Sequence, residues 1–192
     1  MAETRSSTTP AAFRRAVAEV AAMTWRKGIT VEEIGSPQRI APHSVALSAE
    51  FTEGEEQVSS GRLILLHDPA GNDAWHGTFR VVSFARAEVD LEMVADPLLP
   101  EVAWSWMTDA LELHRARYAA LAGTVTASYG KSFGEMGDAA DQADVEIRSS
   151  WTPVLDDKEP LTGHLFAWQD LLGHVGGRPP LPPGVVQFPG RS

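Results

Sequence analysis

The chain has 192 residues, of which 43% are hydrophobic and 22% are charged, and its formal net charge is −10. This length is typical of one domain whose core needs no cross-links. The absence of cysteine excludes disulfides, thiolate nucleophiles and cysteine-ligated metal centres. The acidic balance argues against nucleic acid as a partner, because proteins that bind phosphates electrostatically carry a basic surface.

The N-terminal segment predicts neither export nor membrane insertion. Its apolar stretch, residues 11–23, is interrupted by Arg14, Arg15 and Glu19, so it lacks the apolar region of a signal peptide. No segment reaches the roughly 20 apolar residues of a membrane span. With the absence of cysteine, these features predict a cytoplasmic protein without a membrane partner.

Residues 1–9 are polar and are expected to be disordered, whereas residues 10–178 are expected to form a single domain. The domain begins with a helix, for which Thr9 is a suitable N-cap and Pro10 a suitable first residue. An apolar stripe follows at helical spacing, and Gly28 predicts an end near Trp25.

Residues 30–34 form a short strand candidate, and clear alternation starts at residue 44. Residues 61–67 are apolar on both faces, as in a central strand, and residues 75–87 return after a turn of strong Asp-Pro-Gly-Asn chemistry. The short connections predict an antiparallel meander.

A second helix is predicted after Pro100, with its run ending at Gly123. Residues 124–129 and 144–151 are strand candidates on either side of a long, acidic loop, which we expect to be mobile. A third helix follows, with Asp156 or Asp157 as its cap. The Gly176-Gly177 pair ends it, and residues 179–192 form a proline-rich tail.

The resulting order is α-β-β-β-α-β-β-α. Strands grouped together, without strand–helix alternation, predict an α+β fold. We therefore expect an antiparallel sheet of about five strands with three helices on one face.

Motifs for catalysis or cofactor binding are weak. Gly130-Lys131-Ser132 resembles the end of a phosphate-binding loop, but Val125 stands where that loop needs glycine. No cofactor is expected. One local cluster of titratable groups suggests an alternative ligand or metal site, because a hairpin would bring its two histidines face to face; it comprises His67, Asp68, Trp75 and His76.

The strand 75–87 carries the most informative pattern. Its small and apolar residues Phe79, Val81, Ser83 and Ala85 alternate with a second set, Arg80, Val82, Phe84 and Arg86. If the first set lies under the helices, the second forms an open, partly apolar face that marks an interaction site or a dimer interface. The alternative is that this face is covered by residues 88–99 or by the tail and is not an interaction site. Trp104 is a further candidate binding residue, since it lies off the apolar stripe of its helix.

Residues 61–82, the Asp96-Pro97-Leu98-Leu99-Pro100 segment and Trp104-Ser105-Trp106 resemble an actinobacterial family known as domain of unknown function 3000. The resemblance runs from about residue 10 to residue 188 and implies a cytosolic protein, but no catalytic or binding residue. The element order is also similar to that of type III secretion chaperones, which are acidic dimers that bind extended segments of their partners.

Two functions follow as hypotheses. The first is a non-enzymatic binding, adaptor or chaperone-like protein, with a protein partner or a second copy on the open sheet face. The alternative is a small-molecule or metal-binding enzyme with its site near the 67–76 hairpin. The balance of the motifs favours a protein that is not an enzyme.

Overall fold

The computed structural model describes residues 9–37, 39–137, 140–156 and 159–180. The predicted α+β class is confirmed. Six antiparallel strands form one open sheet in the order β1-β2-β3-β4-β6-β5. The strands are β1 (Ile29–Ile34), β2 (His43–Glu53), β3 (Glu56–Asn72), β4 (Gly77–Glu88), β5 (Tyr118–Gly130) and β6 (Gln142–Pro153). The helices are α1 (Ala11–Ala22), α2 (Leu91–Val94), α3 (Leu99–Leu113) and α4 (Thr162–Val175).

The sheet has one strand more than expected because the short segment β1 pairs fully with β2. The extra helix, α2, is a single turn of four residues. The predicted meander is present as β2, β3 and β4. α1 is shorter than predicted: Pro10 is its N-cap residue rather than its first residue, and the helix ends at Ala22 instead of near Trp25.

The second predicted helix was too long. α3 ends at Leu113 because Arg115 adopts a left-handed backbone with a φ of 52°. The amide of Ala116 then donates to the Leu111 carbonyl and that of Arg115 to the Glu112 carbonyl, which is the Schellman termination. Glycine normally takes this position, so an arginine there concealed the helix end and the start of β5 at Tyr118.

One face of the sheet is covered by helices and holds the core. Phe79, Val81 and Ala85 of β4 are buried there, together with Trp151 of β6 and Trp168 of α4. The predicted stripe of the last helix is buried on the same side, and α4 ends as predicted, in a Schellman turn with Gly177 in the left-handed region. This layer leaves the opposite face of the sheet available for another role.

Candidate functional site

The open face is centred on three apolar side chains of β3 and β4. Val82 is 37% exposed, and Ile64 and Phe84 are half-buried. In the sheet register, Ile64 lies opposite Val82, and Arg62 lies opposite Phe84. β6 continues the surface, since Arg148 lies opposite Phe84 on the other side. We call these five residues the open-face patch.

Arg62 and Val82 of the open-face patch are exposed, whereas Leu66 and Ala46, beside it on the same face, are buried. The segment 88–99, one of the expected covers, packs instead on the helical side, where Val89, Val94 and Leu99 join the core cluster. The proline-rich tail was the other segment expected to cover this face, and its residues 181–192 lie outside the described residues. Two shallow depressions, of about 570 Å³ and about 310 Å³, share Val82, Phe84 and Arg148 as walls.

The arginines of this face differ in how far their charge is compensated. Arg86 pairs with Asp144 at 2.9 Å, and Arg148 pairs with Glu146 at 2.6 Å. Arg148 also lies over the Phe84 ring, with Cζ 5.9 Å from the ring centroid. In the part of the chain that the structure describes, Arg62 makes neither a hydrogen bond nor an ion pair. The centre of this face is therefore both apolar and positively charged.

Arg80 has a structural role as well as a place on this face. Its Nη1 donates to the Ala120 carbonyl at 2.8 Å and to Thr152 Oγ1 at 3.1 Å, and its Nη2 donates to Ser150 Oγ at 2.6 Å. Burial lowers the pKa of its guanidinium below the ordinary value. Arg80 thus joins β4 to β6 and to the irregular start of β5, and none of its partners among the described residues is a carboxylate.

Trp104 does not belong to the open-face patch. It projects from α3 onto the helical side of the sheet, where its ring packs on the backbone at Gly123; a Cβ built at Gly123 would lie 2.5 Å from Trp104 Cζ3. Trp104 is half-buried by this contact. Its departure from the apolar stripe reflects packing against an edge strand.

The predicted cluster at the 67–76 hairpin does not assemble. His67 lies opposite Phe79 rather than His76, because β3 runs on to Asn72 and a 3₁₀ turn, Asp73–Trp75, follows. The His67 ring is buried, stacks on Phe79 with centroids 4.1 Å apart, and places Nδ1 2.9 Å from the Thr78 carbonyl. Burial lowers the pKa of His67.

The other hairpin residues serve the turn. Asp68 accepts a hydrogen bond from the Ala70 amide, the Trp75 carbonyl accepts one from Thr152, and His76 is exposed with a left-handed backbone. Across the described ranges, no group of three or more His, Asp or Glu side chains is placed to hold a metal ion. The local spacing that suggested a ligand site is therefore a feature of the turn.

A cleft of about 790 Å³ lies elsewhere, between the end of α3, the start of β5 and the start of α4. His114 lines it and is held by the buried Asp170, with Nε2 2.6 Å from Oδ2. His164 also lines it, and its Nδ1 accepts a hydrogen bond from Trp151 Nε1 at 3.0 Å. Burial lowers the pKa of His164 to about 4, so its imidazole is neutral at pH 7.

Sequence reasoning missed Arg148, Asp170 and His164. Arg148 reaches the open-face patch only because β6 inserts between β4 and β5, a long-range order with no local signature. Asp170 and His164 carried a weak signal, since both are polar residues on the predominantly apolar helix α4. Their partners lie at the C-cap of α3 and on β6.

No helix in the described ranges combines the length and the hydropathy of a transmembrane segment. A family model described as a protein of unknown function, DUF3000, matches residues 9–186. No curated protein and no solved structure matches the chain significantly. The similarity in element order to type III secretion chaperones therefore stays a prediction.

Proposed function

We propose that this chain, which belongs to the DUF3000 family of proteins of unknown function, is a non-enzymatic binding protein of the adaptor or chaperone type. Its ligand is a protein segment that lies across the open-face patch. The observation that carries the proposal is the partial exposure of Ile64, Val82 and Phe84 between Arg62 and Arg148. Exposed apolar surface framed by arginine is typical of binding interfaces.

Charge complementarity defines the partner. The whole chain carries −10, yet Arg62 is unpaired within the described residues and Arg80 is satisfied by neutral oxygens alone. Of the carboxylates on this face, Glu32 and Glu50 lie at the β1–β2 side. Asp144 and Glu146 of β6 are already paired with Arg86 and Arg148. A segment that alternates apolar side chains with carboxylates matches the β3–β4–β6 region, where its carboxylates would meet arginine.

The test uses two synthetic peptides of equal length, one alternating phenylalanine and valine with aspartate, and the other with lysine in place of aspartate. We expect the acidic peptide to bind about tenfold or more tightly than the lysine peptide, and Arg62→Glu to remove most of that preference. Fluorescence polarisation measures the affinities. Equal binding of the two peptides would refute the proposed charge selectivity.

A matched pair of valine substitutions tests whether the peptide binds on the open face. Val82→Asp introduces a charge at the centre of the open-face patch, whereas Val102→Asp introduces the same charge on α3, where Val102 is 47% exposed. Only Val82→Asp is expected to abolish binding of the acidic peptide. Equal effects of the two substitutions would place the peptide elsewhere.

A second candidate function is the binding of a small polar molecule in the cleft beside His114. The observation that favours it is the buried Asp170, which fixes the orientation of an imidazole that is itself a quarter exposed. A thermal-shift screen of small carboxylates and phosphates tests this. His114→Ala should abolish any stabilisation while His76→Ala, at the hairpin, leaves it intact, and the reverse result would return the ligand to the hairpin.

A further inference from the structure

The two edges of the sheet differ sharply. β1 is six residues long and carries Glu32 and Glu33, both exposed. β5 is thirteen residues long, YAALAGTVTASYG, and contains no charged residue and no proline. Short length, charge, proline and β-bulges are means by which natural sheets block association at an edge. β1 is short and charged. β5 has one register irregularity near its start, between Ala119 and Ala122, and pairs regularly with β6 from Ala122 to Gly130.

β5 is also largely exposed. All of its residues except Leu121 and Val125 are exposed. Trp104 of α3 covers the strand at Gly123, but Ala127 and Tyr129, further along the same side, are exposed. In the described part of the chain, β5 pairs with β6 and no further strand lies beyond it. The outer backbone amides and carbonyls of the regular part of β5, residues 122–130, are thus available for pairing.

Exposed apolar side chains concentrate at the two ends of this edge. Leu113 and Tyr118 lie at its start, and Tyr129, Phe133 and Met136 lie at its end or in the loop that follows. The charges that directly flank β5 are compensated within the chain, since Arg117 pairs with Glu159 and Lys131 pairs with Asp141. The start of β5 in one copy can therefore approach the end of β5 in another without repulsion between these flanking residues.

We infer that the outer edge of β5 pairs antiparallel with β5 of a second copy of this chain, giving a two-fold symmetric dimer with one continuous twelve-stranded sheet. An antiparallel pair about a two-fold axis is self-complementary, because each residue contact occurs twice. It also brings the start of each β5 beside the end of the other. Leu113 and Tyr118 of one copy thereby meet the apolar residues that follow β5 in its partner.

A second copy fits this edge better than a foreign strand does. A neutral strand has no charge pattern with which to select an acidic or a basic partner. It is, however, the part of a strongly acidic chain at which two copies approach with least repulsion. The dimer leaves the open-face patch of each copy uncovered, so this interface is independent of the binding proposed above.

Thr126→Lys on the full chain tests the interface. Because the dimer is two-fold symmetric, each copy adds one lysine, and two like charges enter the β5–β5 interface. Thr30→Lys makes the same change at the β1 edge, where Thr30 is also exposed. Sedimentation velocity is expected to show a wild-type dimer, a Thr126→Lys variant whose dissociation constant rises by about a hundredfold or more, and a Thr30→Lys variant that remains dimeric. Circular dichroism establishes that both variants are folded.

The absence of native cysteine allows a direct distance measurement. Spin labels on Thr126→Cys are expected to lie within about 20 Å of each other in the dimer, a few strand spacings at most. Labels on Thr30→Cys are expected about 50 Å apart, since eleven strand spacings separate the two β1 strands. A wild-type monomer, an unchanged dissociation constant in Thr126→Lys or a short Thr30→Cys distance would each overturn the inference.

Discussion

Nε2 of His114 lies 2.6 Å from Oδ2 of Asp170, and this contact joins the C-cap residue of α3 to the buried face of α4. The Asp170 side chain is only 5% exposed, whereas that of His114 is 25% exposed. The carboxylate therefore depends on the imidazole for compensation, while the imidazole also reaches solvent. Removal of the His114 side chain leaves a buried carboxylate without this partner, whereas removal of the Asp170 carboxylate leaves an imidazole that can contact solvent.

We expect His114→Ala to lower the free energy of unfolding by about 2–3 kcal/mol at pH 7, because it leaves a buried carboxylate without this partner. Asp170→Asn retains a hydrogen-bond acceptor and is expected to cost less than about 1 kcal/mol. Urea denaturation measures both. Lys131→Ala, which removes an exposed ion pair with Asp141, serves as the control and should change stability by less than about 0.5 kcal/mol.

The free energy of unfolding should also decrease as the pH is lowered, because of His164. Burial holds its folded-state pKa at about 4, below the ordinary value of 6.5. Below pH 6.5 the unfolded chain takes up a proton that the folded chain does not, so stability decreases from pH 6.5 down to pH 4. This one group accounts for a loss of about 3 kcal/mol across that interval.

Urea denaturation at a series of pH values checks this prediction against His164→Gln. The glutamine variant loses stability at pH 7, since it disturbs the contact with Trp151, but it lacks the proton-linked decrease. The difference in stability between wild type and variant should therefore shrink as the pH falls. A constant difference would show that His164 does not carry the pH dependence.

The fold class was predictable because its determinants are local. Alternation in β4 separated Val81 and Ala85 from Val82 and Phe84, and the structure buries the first pair and leaves the second on the open face. What the sequence did not reveal depends on contacts between distant residues. Arg148 reaches Phe84 through strand order, and the end of α3 depends on a left-handed Arg115 where glycine would be the usual signal.

The ligand site predicted at the 67–76 hairpin does not assemble, and this too depends on contacts that the local sequence does not show. His67 and His76 are close in sequence, and a tight turn would have placed them face to face. The chain instead extends β3 beyond His67, so that its ring packs against Phe13 and Phe79. A histidine within an apolar run is compatible with either role, and only the register decides between them.

Gly61 is predicted to be essential for packing beneath the open-face patch. It lies on the helical side of β3, where an added Cβ would be 2.6 Å from Leu172 Cδ2 and 2.8 Å from the Phe84 carbonyl oxygen. Gly61→Ala should therefore cost about 1–3 kcal/mol of stability. Gly35→Ala, where no described atom beyond the two adjacent residues lies within 4 Å of the added Cβ, should be neutral or stabilise by up to about 1 kcal/mol. Thermal denaturation distinguishes the two variants.

We expect replacement by alanine to change stability differently at two buried serines on the helical side. Ser59 Oγ donates to the Leu172 carbonyl at 2.8 Å, so Ser59→Ala should lower stability by about 1 kcal/mol. Ser83 Oγ is buried without a partner among the described residues, so Ser83→Ala should leave stability unchanged or raise it by about 1 kcal/mol. Urea denaturation of both variants tests the contrast. A loss in Ser83→Ala equal to that in Ser59→Ala would show that the Ser83 hydroxyl is hydrogen-bonded in solution.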